Sequence, residues 1–226
     1  MQAVIETVFD VLYLTTVLTL GIIMILKGRK NKQFLLFGIM AVVLGAGDSF
    51  HLVPRALALC TSGLENFTVA LGAGKFITSV TMTIFYILLY YVWRIRYDIK
   101  GKKGITTAVY ILSSLRVVLC LFPQNNWFNG EPSLLWAILR NIPFAALGIL
   151  IIALFFISAK NNTDKPFRFM WLTIVLSFAF YIPVVLLADF VPLIGMLMIP
   201  KTCAYVWTVL IGFMAMRKEI KLIEAN

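Results

Sequence analysis

Seven apolar segments, each long enough to cross a lipid bilayer as a helix, constrain the fold of this chain more than any other feature. A transmembrane helix needs about 20 consecutive apolar residues. The segments cover about residues 3–26, 34–59, 67–93, 105–122, 132–159, 167–188 and 191–216. Because 61% of the residues are hydrophobic and the gaps are short, we predict an all-α integral membrane protein. In this prediction residues 1–226 form a single seven-helix transmembrane domain.

The basic residues indicate how such a bundle is oriented. Fifteen of the twenty Lys and Arg residues follow predicted helices 1, 3, 5 and 7. Cytoplasmic connections of membrane proteins carry this excess, so we expect the N-terminus outside and the C-terminus in the cytoplasm of a multi-pass plasma-membrane protein. The net charge of +10 is then a topology signal, which favours the lipid bilayer as a partner and argues against nucleic acid.

Two pairs of stretches are similar enough to suggest an internal duplication. GAGKFITS in predicted helix 3 aligns with MIPKTCAY in helix 7, which matches Lys75 with Lys201. FHLVP in helix 2 aligns loosely with FYIPV in helix 6, which matches Pro54 with Pro183. Transporters built from repeated halves show such symmetry. A parallel repeat of three helices on each side of helix 4 is therefore an alternative to a bundle without internal symmetry.

The stretch GDSFHLVPR, residues 47–55, places polar side chains inside an apolar segment. At helical spacing Asp48, His51 and Arg55 share one face. Ionisable side chains in a membrane are costly unless they meet partners or water, which makes them functional-site candidates. For His51 two readings stay open: a proton carrier, or a core histidine bonded to Asp48 or to a backbone carbonyl.

Other intramembrane charges fall in the predicted outer half of the bundle. Lys75, Arg140 and Lys201 each share a helical face with polar or aromatic side chains, and such faces should point inward because lipid offers no hydrogen-bond partner. We therefore predict a polar chamber open toward the outside, above an apolar cytoplasmic half. The substrate-binding candidates are Asp48, His51, Arg55, Lys75, Trp136, Arg140, Asn141, Tyr181, Lys201 and Tyr205.

Structural alternatives remain for these charges. Arg55 and Arg116 lie near enough to the predicted outer surface to extend toward water, as long charged side chains do. Asp48, Arg140 and Lys201 lie deeper, where buried ion pairs that only fix helix packing would also account for them.

Metal catalysis has little support in this composition. A single histidine and the absence of an HExxH sequence leave too few ligands, so we expect no metal and no cofactor. The same shortage argues against zinc-dependent seven-helix lipid hydrolases resembling alkaline ceramidases. Cys60, Cys120 and Cys203 show no metal-binding spacing; Cys60 and Cys120 fall near outer helix ends, where a disulfide is an alternative to free thiols.

Lys201, midway along predicted helix 7, is similar to the retinal-binding lysine of microbial rhodopsins, with Trp136 and Trp207 as candidate pocket aromatics. Helix 3 has no aspartate to act as a counter-ion, and Leu197 stands one turn before Lys201, where that family has an acid. A retinal Schiff base is therefore the least favoured alternative.

The leading hypothesis is a transporter of a small anionic or zwitterionic solute. Lys201, Arg140 and Lys75 would bind a carboxylate or phosphate, while Asp48 and His51 would supply a counter-charge or a coupling proton. The alternative is an outward-facing membrane enzyme or a ligand or sensory receptor, because the apolar inner half offers no evident path through the bundle.

Overall fold

The computed structural model describes residues 2–61, 63–129, 133–188 and 190–224, and these ranges contain helices and no strand. Seven helices are long and apolar enough to cross a membrane, which confirms the seven expected from hydropathy. They are α1 (Gln2–Gly28), α2 (Lys32–Cys60), α3 (Thr68–Arg96), α4 (Lys103–Leu121), α5 (Leu134–Asn161), α6 (Met170–Leu187) and α7 (Met198–Glu224). Short 3-10 helices lie at Leu64–Phe67, Pro123–Asn125 and Pro192–Leu197.

The last helix differs most from its predicted range of 191–216. The segment Pro192–Leu197 is a 3-10 helix, and α7 begins at Met198 and continues to Glu224. Gly195 lowers the helix propensity of this segment, and Pro200 in the first turn of α7 lacks the N–H that would continue the helical hydrogen bonds back to Met196. At the other end the helix continues beyond the apolar stretch, because Lys and Arg are good helix formers in water. Lys201 therefore lies in the first turn of α7 rather than at its middle.

The helices form a closed ring in chain order. Each helix contacts the next one along the chain, and α7 returns to contact α1 and α2. A further contact joins α3 to α5 across the bundle. Short connections make neighbouring helices antiparallel, so the residues that follow α1, α3, α5 and α7 lie at one end, here called the basic end.

Two glycines allow α2 and α3 to approach closely beside the GDSFHLVPR stretch. A Cβ atom at Gly47 would overlap the Thr81 side chain, and one at Gly74 would overlap the backbone at Phe50 and His51. Small residues at such crossings let two membrane helices pack along their backbones. This contact fixes the depth and rotation of Asp48, which follows Gly47 directly.

The basic end is closed by aromatic rings and paired charges. Phe37, Phe155 and Phe167 are fully buried; we call them the aromatic plug. The Phe167 ring lies 6.4 Å from Phe155 in a stacked arrangement and 6.1 Å from Phe37, edge to face. Arg96 at the end of α3 donates two hydrogen bonds, of 2.9 and 2.8 Å, to Asp164 in the α5–α6 connection. This end is thus tightly packed and its buried charges are paired, although Gln33 Nε2 there is buried without a hydrogen-bond partner.

The opposite end is covered by the connection between α4 and α5. Trp127 donates a 2.9 Å hydrogen bond from its indole to the carbonyl of Cys120, and a Cβ at Gly72 in α3 would overlap the Trp127 carbonyl. The Asn125 amide caps α4 by donating to the carbonyls of Leu119 and Phe122, both at 2.8 Å. The connection therefore lies across the ends of α3 and α4 as a fixed cover.

The remaining sequence predictions on the fold have mixed outcomes. Cys60, Cys120 and Cys203 are free thiols, so Cys60 and Cys120 do not pair. The aligned lysines have different surroundings, because Lys75 is exposed and Lys201 is buried. The parallel repeat and the orientation in the membrane stay predictions.

Candidate functional site

The site is built around a hydrogen bond between the first two helices. The Tyr13 hydroxyl on α1 donates to Oδ2 of Asp48 on α2 at 2.6 Å. Tyr13 is buried and Asp48 partly buried. Asp10, one turn before Tyr13, acts electrostatically on Asp48 and on Arg55. This side of the interior is therefore the acidic wall, formed by Asp10 and Asp48.

Lys201 lies between this acidic wall and a second group of charges. Its side chain is buried, with 9% of its surface exposed, and Nζ is 5.0 Å from the ring centroid of Tyr181 and 5.6 Å from that of Tyr205. Its charged neighbours are Asp48 and Arg116. No salt bridge within 4.0 Å joins Lys201 to an acid in the described ranges. The ammonium is thus held mainly by aromatic faces, which attract cations.

Arg116 lies within the site, although extension toward water at the outer surface was one alternative for it from its position in the sequence. That interpretation is wrong, because only 3% of Arg116 is exposed. Its Cζ lies 3.2 Å from the ring centroid of Phe144, and Nε and Nη1 are buried without a hydrogen-bond partner. The side chain turns inward because α4 packs between α3 and α5, whose aromatic side chains cover this face.

No acid balances Arg116 in the described structure. The groups near its charge are the phenols of Tyr86, Tyr181 and Tyr205, the thiol of Cys120 and the ammonium of Lys201. Ser113 Oγ, one turn before Arg116, is also buried without a hydrogen-bond partner, and the Tyr86 hydroxyl lies near those of Tyr205 and Ser177. Buried polar atoms without partners are uncommon in folded proteins, and each one needs an explanation such as an ordered water or an ion.

The residues described above give the interior of the bundle two sides of opposite charge. We use polar centre for the set of Tyr13, Asp48, Arg116, Tyr181, Lys201 and Tyr205. One side of it carries carboxylates and the other carries guanidinium, with the Lys201 ammonium between them. Such a pair of walls can hold an anion at the basic side, or both ends of a zwitterion across the gap.

Arg140 lies at the margin of the polar centre rather than at mid-depth. Its Nη1 donates a 2.8 Å hydrogen bond to Oδ1 of Asn125, and its Cζ is 4.4 Å from the Trp127 ring centroid. Trp136, predicted to contact substrate, instead stacks on Phe122 with ring centroids 5.1 Å apart. Both residues hold the α4–α5 connection, because α5 begins only two turns earlier.

Asn141 and Tyr181 connect α5 to α6. The Tyr181 hydroxyl donates a 3.1 Å hydrogen bond to Oδ1 of Asn141, whose amide donates back to the carbonyl of Ala137 at 2.8 Å. The Tyr181 ring faces Lys201, as described above. Asn141 thus positions Tyr181 and does not itself reach the buried cations through a recorded hydrogen bond.

Three predicted site residues lie elsewhere. Arg55 forms a 3.0 Å salt bridge with Glu6 on α1. His51 Nδ1 lies 3.3 Å from the carbonyl of Leu71 on α3, which matches the core-histidine interpretation. Lys75 is exposed. Asp48, His51 and Arg55 therefore share one face of α2 but have different partners. Asp48 and Arg55 contact α1, and His51 contacts α3.

Neither a metal site in the described ranges nor a known relative bears on the polar centre. Within residues 2–61, 63–129, 133–188 and 190–224, no group of three or more His, Cys, Asp or Glu side chains is placed to hold a metal ion. Comparisons of the chain with protein-family models, with curated proteins and with solved structures give no match. Functional conclusions therefore rest on the polar centre itself.

Proposed function

We propose that this protein transports a small anionic or zwitterionic solute across the plasma membrane and binds it at the polar centre. The observation that carries the proposal is Arg116, a buried guanidinium with two nitrogens that lack hydrogen-bond partners and no carboxylate within salt-bridge distance in the described ranges. A buried charge without a counter-charge costs several kcal/mol, on the order of 3–5. A carboxylate or phosphate on the ligand would remove that cost and accept the free N–H groups.

Lys201 gives the ligand a second contact. Its ammonium and the Arg116 guanidinium repel each other. The repulsion is strong because both cations lie in the low-dielectric interior of the bundle. An anion placed between them relieves this repulsion, and Asp48 remains available for a cationic group on the same ligand. The Tyr13 hydrogen bond holds the Asp48 carboxylate toward α1, so Asp48 does not neutralise Lys201 by direct contact.

The proposed orientation follows from the basic end. If the basic end faces the cytoplasm, the polar centre lies in the outer half and the aromatic plug closes the cytoplasmic half. Alternating access would then require the α4–α5 connection to move aside when the ligand enters from outside, and the plug to open when the ligand is released to the cytoplasm. The Arg96 and Asp164 pair fixes the plug in the present conformation.

Uptake by proteoliposomes tests the proposal. Arg116→Met and Lys201→Met should each lower the uptake of a transported carboxylate or amino acid by at least about tenfold, because each removes a charge-assisted contact. Lys103→Met is the matched control, since Lys103 is an exposed cation at the start of the same helix as Arg116. Uptake that Arg116→Met and Lys201→Met leave at the level of the control would refute the proposal.

A one-sided receptor or enzyme is the second candidate, favoured by the complete burial of the aromatic plug. Cysteine accessibility separates the two. A cysteine cannot be introduced on the inner halves of α5 and α7 at Gly148 or Gly212, because a Cβ atom there would overlap the ring of Phe178 or of Phe37, respectively. Thr208 is a more suitable position, because it lies on α7 between the polar centre and the basic end. Its side chain is buried and donates a 2.8 Å hydrogen bond to Thr173 Oγ1.

Thr208→Cys is therefore the informative variant, made in a chain whose three native cysteines are replaced by alanine. In a transporter the new thiol should react with a cytoplasmic reagent at a rate that changes with substrate. In a one-sided receptor or enzyme it should stay unreactive from that side under every condition.

A further inference from the structure

A cavity lies between α5 and α6, on the membrane-facing surface of the bundle. Its volume is about 180 Å³, and its walls are apolar except for Asn141 and Tyr181. Ile142 and Ile182 line it and are 58% and 45% exposed, so the cavity opens sideways toward lipid. An apolar cavity of about 150 Å³ is known to stay dry and accept benzene, so this cavity has room for several carbon atoms.

Three aromatic rings separate this cavity from the buried cations. Phe144, Phe178 and Tyr181, here called the aromatic wall, line the cavity. The Phe144 ring contacts Arg116 on its other side at 3.2 Å, and the Tyr181 ring faces Lys201 at 5.0 Å. The rings of Phe144 and Phe178 are 5.1 Å apart. A single layer of side chains thus lies between a membrane-facing apolar cavity and two buried positive charges.

The two helices beside the cavity each contain a proline at this level. Pro143 lies inside α5 and Pro183 inside α6. Proline lacks the N–H that would bond to the carbonyl four residues earlier, so each helix has a weakened point. The α5–α6 wall can therefore change its spacing with little loss of helical hydrogen bonding.

We infer that the ligand is a fatty-acid anion that enters from the bilayer between α5 and α6. Its chain occupies the cavity, and its carboxylate reaches Arg116 and Lys201 when the rings of the aromatic wall rotate. The inference rests on the proposed function and specifies the solute as a single-chain carboxylate. Charge complementarity selects this occupant over a neutral lipid, which would leave the Arg116 nitrogens unbonded.

The source of affinity follows from the surroundings. The cavity competes with lipid tails, which are as apolar as its walls, so burial of the chain gives little selectivity. The carboxylate contacts must supply most of the binding energy, while the bilayer supplies a high local concentration of ligand. A short, water-soluble carboxylate can use the same cations without using the cavity.

Equilibrium binding of radiolabelled laurate and butyrate to the full-length protein in nanodiscs tests this. Ala145 lines the cavity, and Ala145→Trp should weaken laurate binding by about tenfold or more and leave butyrate binding unchanged. Arg116→Met should weaken both by about tenfold or more. Ile149→Trp is the control, because Ile149 is 66% exposed on the same helix outside the cavity.

The outcomes separate the two proposals. If laurate binds to Ala145→Trp as tightly as to the control, the fatty-acid inference is wrong, and the proposed function stands as long as Arg116→Met weakens butyrate. If Arg116→Met changes neither ligand, both proposals fail. Thermal melting identifies a variant that does not fold, in which case Val185→Phe narrows the cavity from the α6 side, with the same expectations.

Discussion

The aromatic plug and the polar centre lie at different levels of one bundle and differ in how their buried charges are balanced. At the plug, Asp164 and Arg96 form a bidentate pair, and the rings around them are fully buried. At the polar centre, Arg116 is as deeply buried but has no acidic partner in the described ranges. Satisfied charges close one end of the bundle, and an unsatisfied charge lies where we propose that a ligand binds.

The largest stability effect should come from breaking the satisfied pair. Asp164→Asn leaves Arg96 with a neutral partner, and Asp164 is only 5% exposed while Arg96 is 22% exposed. Removing one member of a buried pair is costly, and partial exposure reduces the cost to about 2 kcal/mol. The melting temperature in detergent should fall clearly. A melting temperature equal to that of the wild type would mean that this pair does not hold the plug.

A smaller effect on binding should follow from Tyr13→Phe. Without the hydroxyl, the Asp48 carboxylate is free to approach Lys201 and compete with an anionic ligand. The lost charge-assisted hydrogen bond is worth about 1.5–3 kcal/mol, so ligand affinity should fall by about tenfold or more in the binding assay. Tyr110→Phe is the control, because it removes a 2.6 Å phenol contact with Tyr91 outside the site. Equal affinities in the two variants would contradict this role.

The smallest effect is on the stability of the protein at acidic pH. Burial alone would raise the pKa of Asp164, but the hydrogen bonds and charge of Arg96 outweigh it and hold the pKa below its usual range. A lowered folded-state pKa stabilises the protein above the unfolded value of about 3.9 and loses that contribution as the pH falls through the folded value. The difference in melting temperature between wild type and Asp164→Asn should thus be constant near neutrality and shrink below about pH 4.

Other carboxyls titrate in both proteins and cancel from this difference. A difference that shrinks already between neutrality and about pH 5 would show that a different group, with a raised pKa, controls the plug.

Hydropathy was sufficient to predict the seven helices, because each apolar segment has the length that a bilayer demands. Asp48, Tyr181, Lys201 and Tyr205 were also predicted and are found together. Their depth could be estimated from the helix ends, and their inward direction from the cost of exposing them to lipid.

Arg116 could not be assigned from depth alone. A long side chain near a helix end can extend toward water or turn inward, and the choice depends on which neighbours cover that face. The available signal was the spacing of Ser113, Arg116 and Cys120, which places three polar side chains on one face of the helix. Arg140 and Trp136 were misplaced for a related reason, since the α4–α5 connection folds back over them.

The most direct test of the polar centre combines stability with binding. Arg116→Met removes an unbalanced buried charge, so the variant should melt at a higher temperature than the wild type in the absence of ligand. Added carboxylate should raise the melting temperature of the wild type through preferential binding to the folded state, and should not raise that of the variant. A variant that melts lower than the wild type, together with a wild type that no carboxylate stabilises, would contradict an anion site at Arg116.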